Sequence, residues 1–330
     1  MSGKRAFRLG IMFRREHAPE ELPEFARRAE AAGFDELWVV EDCFYGSGVA
    51  PAAAALSVTS TIRVGLGIMP AVARNPVFTA MEIATIAGMF PGRFLPGLGH
   101  GMAHWMRQIG AFPQSQLNAL EEVTTTVKRL LAGERFSYHG RHVQLDQVEL
   151  VHPPAVVPPV LLGVRGPKSL ALSGRAADGT ILAEYAAPAY VSWAREQIAS
   201  GQRQAGRGGD HPLTVFALAC AGESAGEARQ RLRPLAAGAI VSGKVDMQLA
   251  PMGILPALQE LRRQRQGEAL LAAVPDSWID QLTLAGSPDD WRRSIQRLAD
   301  AGADSVVLVP IAGDSLEEVK EFASHAKGIG

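Results

Sequence analysis

The chain has 330 residues with 33 basic and 34 acidic side chains, and a net charge of −1 gives no field to steer nucleic acid or an anionic membrane. Its 47% hydrophobic content is that of a globular protein with enough chain for a large core, and no run of eighteen apolar residues exists to span a bilayer. Two cysteines, Cys43 and Cys220, rule out a disulfide framework; with an N-terminus, MSGKRAFRLGIMF, that lacks a long apolar stretch or cleavage site, they point to the cytoplasm.

Along the chain one unit recurs. "AEAAGFDELWVVED" (29–42) and "LADAGADSVVLVPIAGD" (298–314) each end a helix in Ala-Gly, place an Asp two residues on, and continue into an apolar run; "GRAADGTILAEYA" (174–186) is a weaker copy. Gly33 and Gly302 suit the left-handed position that terminates a helix. The runs that follow are continuous rather than alternating, as in strands buried on both faces. Counting them predicts strands at about 7–13, 36–41, 62–69, 93–98, 159–164, 179–184, 213–220 and 304–311, with amphipathic helices between, such as Glu20–Ala32 and Asp289–Ala301. Eight parallel strands alternating with helices predict an α/β fold, a (β/α)8 TIM barrel, as one domain over 1–330. Two insertions are expected: a hairpin excursion near 133–158 with its turn at His139–Gly140, and extra helices near 221–285. An open doubly wound sheet would need G-x-G-x-x-G after the first strand, where the chain reads "MFRREHAPEE".

In such a barrel the residues after each strand face one pocket. They are Arg14–His17 after the first, Glu41–Phe44 after the second, "GLGIMP" (65–70) at the third, "GLGHG" (97–101) at the fourth, "GVRGPKS" (163–169) at the fifth, and Ala183–Tyr185 at the sixth. Glycine costs a strand stability, so its repeated use on one side of the mouth implies that something flat or bulky approaches the backbone closely. In "GVRGPKS", Gly163 and Gly166 bracket a turn, Lys168 supplies a cation and a helix begins near Pro167, which suits a phosphate. A flat body beside a phosphate reads as a flavin-like nucleotide. His100 and His104 lie four apart, but no third ligand joins them in register, so no metal is expected.

The sequence resembles the luciferase-like superfamily, and within it the branch that uses the deazaflavin coenzyme F-420, closest to methylene-tetrahydromethanopterin reductase-like members. The resemblance is carried by "AEAAGFDELWVVED", "TSTIRVGLGIMPAVARNPVFTAMEIATIAGMFPGRFLPGLGHG", "EEVTTTVKRLLAGERFSYHGRHV" and "VPPVLLGVRGPKSLALSGRAADGTILAE". It implies a non-proline cis peptide at Gly67–Ile68 against the deazaflavin ring, with Gly99 and Gly101 beside it. It also implies a phosphate tail near Val164, Gly166, Pro167 and Lys168, and Ala183 and Glu184 lining the coenzyme. Asp42, Cys43 and His100 become the candidate catalytic residues, a small organic molecule the expected substrate, and a homodimer the expected assembly.

Three departures bear on the chemistry. Strand two of the family commonly ends in Asp-His, and here in Asp42–Cys43, a poorer proton donor near neutral pH. Met102 stands where sugar-phosphate-oxidising relatives carry a glutamate, and Pro96 interrupts the fourth strand, where a local bulge is expected. Hydride transfer through F-420 is the function this reading supports. An FMN-dependent monooxygenase of the same superfamily is the alternative, and a non-catalytic coenzyme-binding barrel a third.

Overall fold

The continuous apolar runs do form strands, and their ladders are all parallel. In the structure, a computed structural model that describes residues 7–311 and 313–326, these are β1 (Arg8–Met12), β2 (Glu36–Val39), β3 (Arg63–Pro70) and β4 (Phe94–Gly99). After a two-stranded antiparallel hairpin, β5 (Phe136–His139) and β6 (Gln144–Val148), come β7 (Leu161–Gly163), β8 (Gly179–Leu182), β9 (Leu213–Ala221), β10 (Leu284–Gly286) and β11 (Ser305–Pro310). Hydrogen bonds run in the order β1-β2-β3-β4-β7-β8-β9-β11, and β11 pairs back onto β1, closing an eight-stranded barrel. This is the (β/α)8 architecture the sequence predicts, with each predicted strand in place.

The surrounding helices are α1 (Leu22–Ala31), α2 (Val49–Ser57), α3 (Pro76–Met89), α4 (Ala103–Gln108), α5 (Gln116–Leu131), α6 (Pro167–Ala176) and α7 (Pro188–Gln204). The insertion before β10 holds α8 (Ala225–Val241), α9 (Asp246–Leu249), α10 (Leu255–Gln264), α11 (Gly267–Ala272) and α12 (Asp276–Leu282). Then come α13 (Pro288–Asp300) and α14 (Ser315–Ala326). Gly33 and Gly302 take φ of +85° and +111° at the ends of α1 and α13, the left-handed positions expected of them. Ser287 begins α13 through a capping box with Asp290. Among the described residues no helix is long and apolar enough to cross a membrane.

Two details differ from the sequence reading. The hairpin turn spans Gly140–Val143, where the Gly140 N–H donates to the Val143 carbonyl at 2.9 Å, rather than centring on His139–Gly140. Glu122 of α5 accepts the N–H groups of Arg141, His142 and Val143, and this distant anchor moves the turn. The second insertion is not wholly helical either, because β10 adds a parallel strand to β9 on the edge that β8 also uses. Three residues are too few to show any period.

Strand alternation divides the core. Leu37 and Val39 of β2 face the helices, whereas Glu36 and Trp38 face the barrel interior, where Trp38 meets Phe216 edge-on at 5.2 Å. Met12, Leu95, Leu161, Ile181 and Val307 complete that inner layer. A packed interior leaves the C-terminal mouth as the open end.

Candidate active site

The β1 and β2 exits meet at the mouth. Arg15 donates to Asp42 at 2.6 Å and to Glu16 at 3.0 Å, and its guanidinium lies 4.5 Å from the Tyr45 ring and 6.0 Å from that of Trp105. Asp42 therefore orients Arg15 and does not cap the next helix. Glu41 holds that loop instead, accepting the Gly48 N–H at 3.0 Å and both Arg74 amino groups at 2.6 and 3.0 Å. Asn75 caps α3, its side chain accepting the Val77 N–H. Cys43 is a free thiol joined to Phe44 by a non-proline cis peptide, and Phe44 and Tyr45 stand 69% and 55% exposed at the rim. His17 is committed to Glu318 of α14, with its Nε2 3.0 Å from that carboxylate.

A second non-proline cis peptide joins Gly67 to Ile68, at the position the resemblance implies. Around it the ladder slips: Leu66 pairs with Pro96 and Met69 with Leu98, so two residues of β3 oppose Gly97 alone. The bulge expected near Pro96 thus lies on the neighbouring strand. The side chain of Ile68 accounts for much of the glycine pattern. A Cβ on Gly163 would lie 2.4 Å from Ile68 Cγ2, one on Gly99 2.9 Å from Ile68 Cδ1, and one on Gly97 3.2 Å from Ile68 Cγ2. A Cβ on Gly65 would run into Trp38 at 2.3 Å. The bulky groups closest to this backbone are the chain's own side chains. Sequence shows where side chains are missing but not which neighbour fills the gap.

The β4 and β7 exits also converge. His100 Nε2 lies 2.9 Å from the hydroxyl of Ser169 in the first turn of α6, and burial lowers its pKa, favouring the neutral ring. Gly101, at φ +69°, turns the chain against Pro70 and Met106. Helix α6 opens with extended Gly166 as N-cap and Pro167 behind it; no side chain caps it. Lys168 is exposed beside these free N–H groups, while Val164 is buried and its own N–H is spent on the Ile181 carbonyl at 3.3 Å.

Beyond β8, Ala183 and Glu184 are half-buried. Burial first, then the nearby charge of Asp42, raises the pKa of Glu184; a hydrogen bond to its own backbone N–H, Arg15 and Arg165 oppose the rise. Tyr185 takes φ +69°, uncommon for a residue with a side chain, and burial with the charge of Glu184 pushes its phenol up to about 12. The insertion reaches in here. Gln248 of α9 donates to the Glu184 carbonyl at 2.6 Å, and Met247 lies 3.3 Å from where a Gly166 Cβ would stand. The structure thus brings Asp42, Cys43, His100, Gly166–Lys168 and Glu184 to one mouth. Arg15 falls within the Arg14–His17 stretch read as facing the pocket, whereas Tyr45, Trp105, Met247 and Gln248, which the sequence did not single out, also lie here; Met247 and Gln248 sit in an insertion with no periodic signal.

Residues 6–305 match the family described as luciferase-like monooxygenase. The chain belongs to that family. Like other luciferase-like monooxygenase family members it is an enzyme on a (β/α)8 barrel, so the non-catalytic reading falls. Among its relatives is the 5,10-methylenetetrahydromethanopterin reductase of Methanolobus tindarius, 28% identical over 306 residues that cover 90% of this chain and 92% of that one. The F420-dependent glucose-6-phosphate dehydrogenase of Nakamurella multipartita is 29% identical over 213 residues, covering 61% and 63%. The coenzyme F420-dependent tetrahydromethanopterin reductase from Methanopyrus kandleri superposes with a TM-score of 0.83 at 23% identity, covering 97% of this chain and 98% of that one. A type II Baeyer-Villiger monooxygenase from Pseudomonas putida in complex with FMN gives 0.74 at 17% identity, covering 98% of both.

Proposed function

We propose that this luciferase-like barrel is an oxidoreductase that transfers a hydride between coenzyme F-420 and a small organic molecule. The observation that carries the reading is the α6 start: uncapped N–H groups, exposed Lys168, and the His100–Ser169 contact that ties it to the β4 exit. That donor set fits the phosphate of a nucleotide-like coenzyme. Gly166, Pro167 and Lys168 would hold the tail, with buried Val164 supporting the loop from behind. Gly67, Ile68, Gly99 and Gly101 would form the bed for the ring, with Ile68 supplying apolar surface, and Ala183 and Glu184 would line the coenzyme. Bound there, a deazaflavin supplies two-electron hydride chemistry, and the chain's part is to orient it and exclude water. Asp42 holds Arg15 across the rim, His100 joins two loops, and Cys43 faces the substrate.

Relatives named for F-420 support this coenzyme, and the fold shared with an FMN complex supports the alternative, a monooxygenase using reduced FMN and oxygen. A paired titration of the purified protein with F-420 and with FMN, read by fluorescence quenching, separates them. Tight F-420 binding with weak FMN binding is expected; the reverse preference, with oxygen uptake on adding reduced FMN, would make this a flavin monooxygenase. The chain works as one barrel domain over 1–330, in the cytoplasm, and as a homodimer. The outward stripe Phe78, Met81 and Met89 of α3 supports the pairing, since large apolar side chains exposed along one helix face call for cover. Sedimentation equilibrium checks the mass.

A further inference from the structure

Most ionisable groups at the mouth are committed to protein partners. Glu16 pairs with Arg14 and Arg15, Glu41 with Arg74, Asp42 with Arg15, His17 with Glu318, and His100 with Ser169. Glu184 differs. Its carboxyl makes no hydrogen bond or ion pair with another described residue, only one with its own backbone N–H, whereas its backbone is pinned by Gln248, and the left-handed Tyr185 follows it. Gln248 is itself 1% exposed, and its Oε1 is buried without a partner beside that carbonyl contact. A fixed backbone carrying an uncommitted carboxyl, at the end of a barrel where chemistry is placed, is arranged for something other than stability.

We propose that Glu184 is the proton donor and acceptor that accompanies hydride transfer, and that the substrate carries a polarised double bond from carbon to oxygen or nitrogen. This rests on the preceding reading of the mouth as a hydride-transfer site. In the reducing direction the hydride forms a new C–H bond at the substrate carbon and the π pair moves to the heteroatom. The Glu184 O–H bond breaks as the heteroatom–H bond forms. The substrate is reduced by two electrons, the coenzyme is left oxidised, and the carboxylate regains its proton from water. In the oxidising direction the carboxylate takes the proton as the hydride leaves.

The groups facing this carboxyl fit the role. Asp42 from the β2 exit disfavours a second negative charge, while Arg15 from the β1 exit and Arg165 from the loop before α6 oppose it. Gln248 and Tyr185 close the insertion side. Burial is the largest influence and raises the pKa, the direction a carboxylic proton donor needs.

The test uses the full chain labelled with carbon-13 at its glutamate carboxyls, titrated by NMR with and without saturating F-420; Glu184→Gln identifies the resonance. The Glu184 midpoint is expected above those of the exposed glutamates, and bound F-420 is expected to move the signal. A midpoint among the exposed glutamates, or a signal unmoved by bound coenzyme, overturns the proposal. On a panel of ketones and imines with reduced F-420, E184Q should lower kcat about 10²–10⁴-fold with coenzyme affinity within about two-fold of wild type, and Glu184→Asp should recover part of it. Wild type that fails to bind F-420 removes the underlying reading of the site. Wild type that binds, with E184Q keeping both rate and pH profile, removes the role of Glu184 alone.

Discussion

The two ends of the barrel differ in one carboxylate: every one named at the closed end is held by another residue, and Glu184 at the mouth is not. At the closed end the carboxylates serve the backbone where strands begin. Asp35 accepts the Leu9 N–H at 2.9 Å, Asp178 that of Val160 at 3.0 Å, and Asp304 that of Leu213 at 2.8 Å. Glu30 accepts three successive N–H groups, from Ser60 to Ile62. Glu36 is buried among Trp38, Ser305 and Arg63. At the mouth the aromatic rim is exposed, Tyr185 is left-handed, and Glu184 is uncommitted. One end is built to seal and the other to meet a ligand, as parallel barrels divide stability from chemistry.

If that division holds, damage at the closed end should cost stability and spare coenzyme binding. The largest effect is expected from Glu36→Ala, which strips a carboxylate from a buried ion pair and should cost about 3–5 kcal/mol in urea denaturation, with F-420 affinity unchanged. A comparable loss of affinity would break the comparison.

Acid should reach the same end next. His211, bonded to Thr180 at 2.8 Å, has its pKa pushed down to about 4, chiefly by burial. The unfolded chain takes up that proton near the ordinary value of 6.5 and the folded one only near 4, so stability should fall as pH drops through this window. The loss should reach about 3 kcal/mol, and His211→Asn should flatten that arm of the curve. The Glu30 carboxyl, held at about 2 against an ordinary 4.5, adds stability that is present above 4.5 and lost as pH falls toward 2. Its contribution therefore fails at lower pH than that of His211.

Inside the barrel, Gly163→Ala should cost about 1–3 kcal/mol by overpacking against Ile68. The same change made in an Ile68→Ala background should cost clearly less; additive costs would mean the glycine serves something other than that side chain. The smallest effect belongs at the mouth. Lys168→Ala should leave stability within about 0.5 kcal/mol and weaken F-420 binding about ten-fold, with less salt dependence. A stability loss larger than the binding loss would blur the two ends.

The barrel could be read along the chain because its signals are local. Helix ends at Gly33 and Gly302, the Pro288 start and the continuous apolar runs each act within a few residues of themselves. The strand exits could be read for the same reason, since the end of a strand is fixed by the strand. The role of Glu41 could not, because its partner Arg74 lies 33 residues away, nor could Asp42's hold on Arg15, 27 residues back. Gln248 reaches Glu184 across 64 residues from an insertion without period or motif.

By itself the sequence determined the element order, the parallel sheet, the two insertions and the set of loops that reach the mouth, since period, turn chemistry and caps are properties of short segments. The tertiary structure alone decided that Ile68 and Trp38 fill the space left by the glycines, that Asp42 is occupied and that Glu184 is not. Those outcomes depend on which side chains meet across the barrel, and closure of the sheet sets that at distances no local pattern encodes.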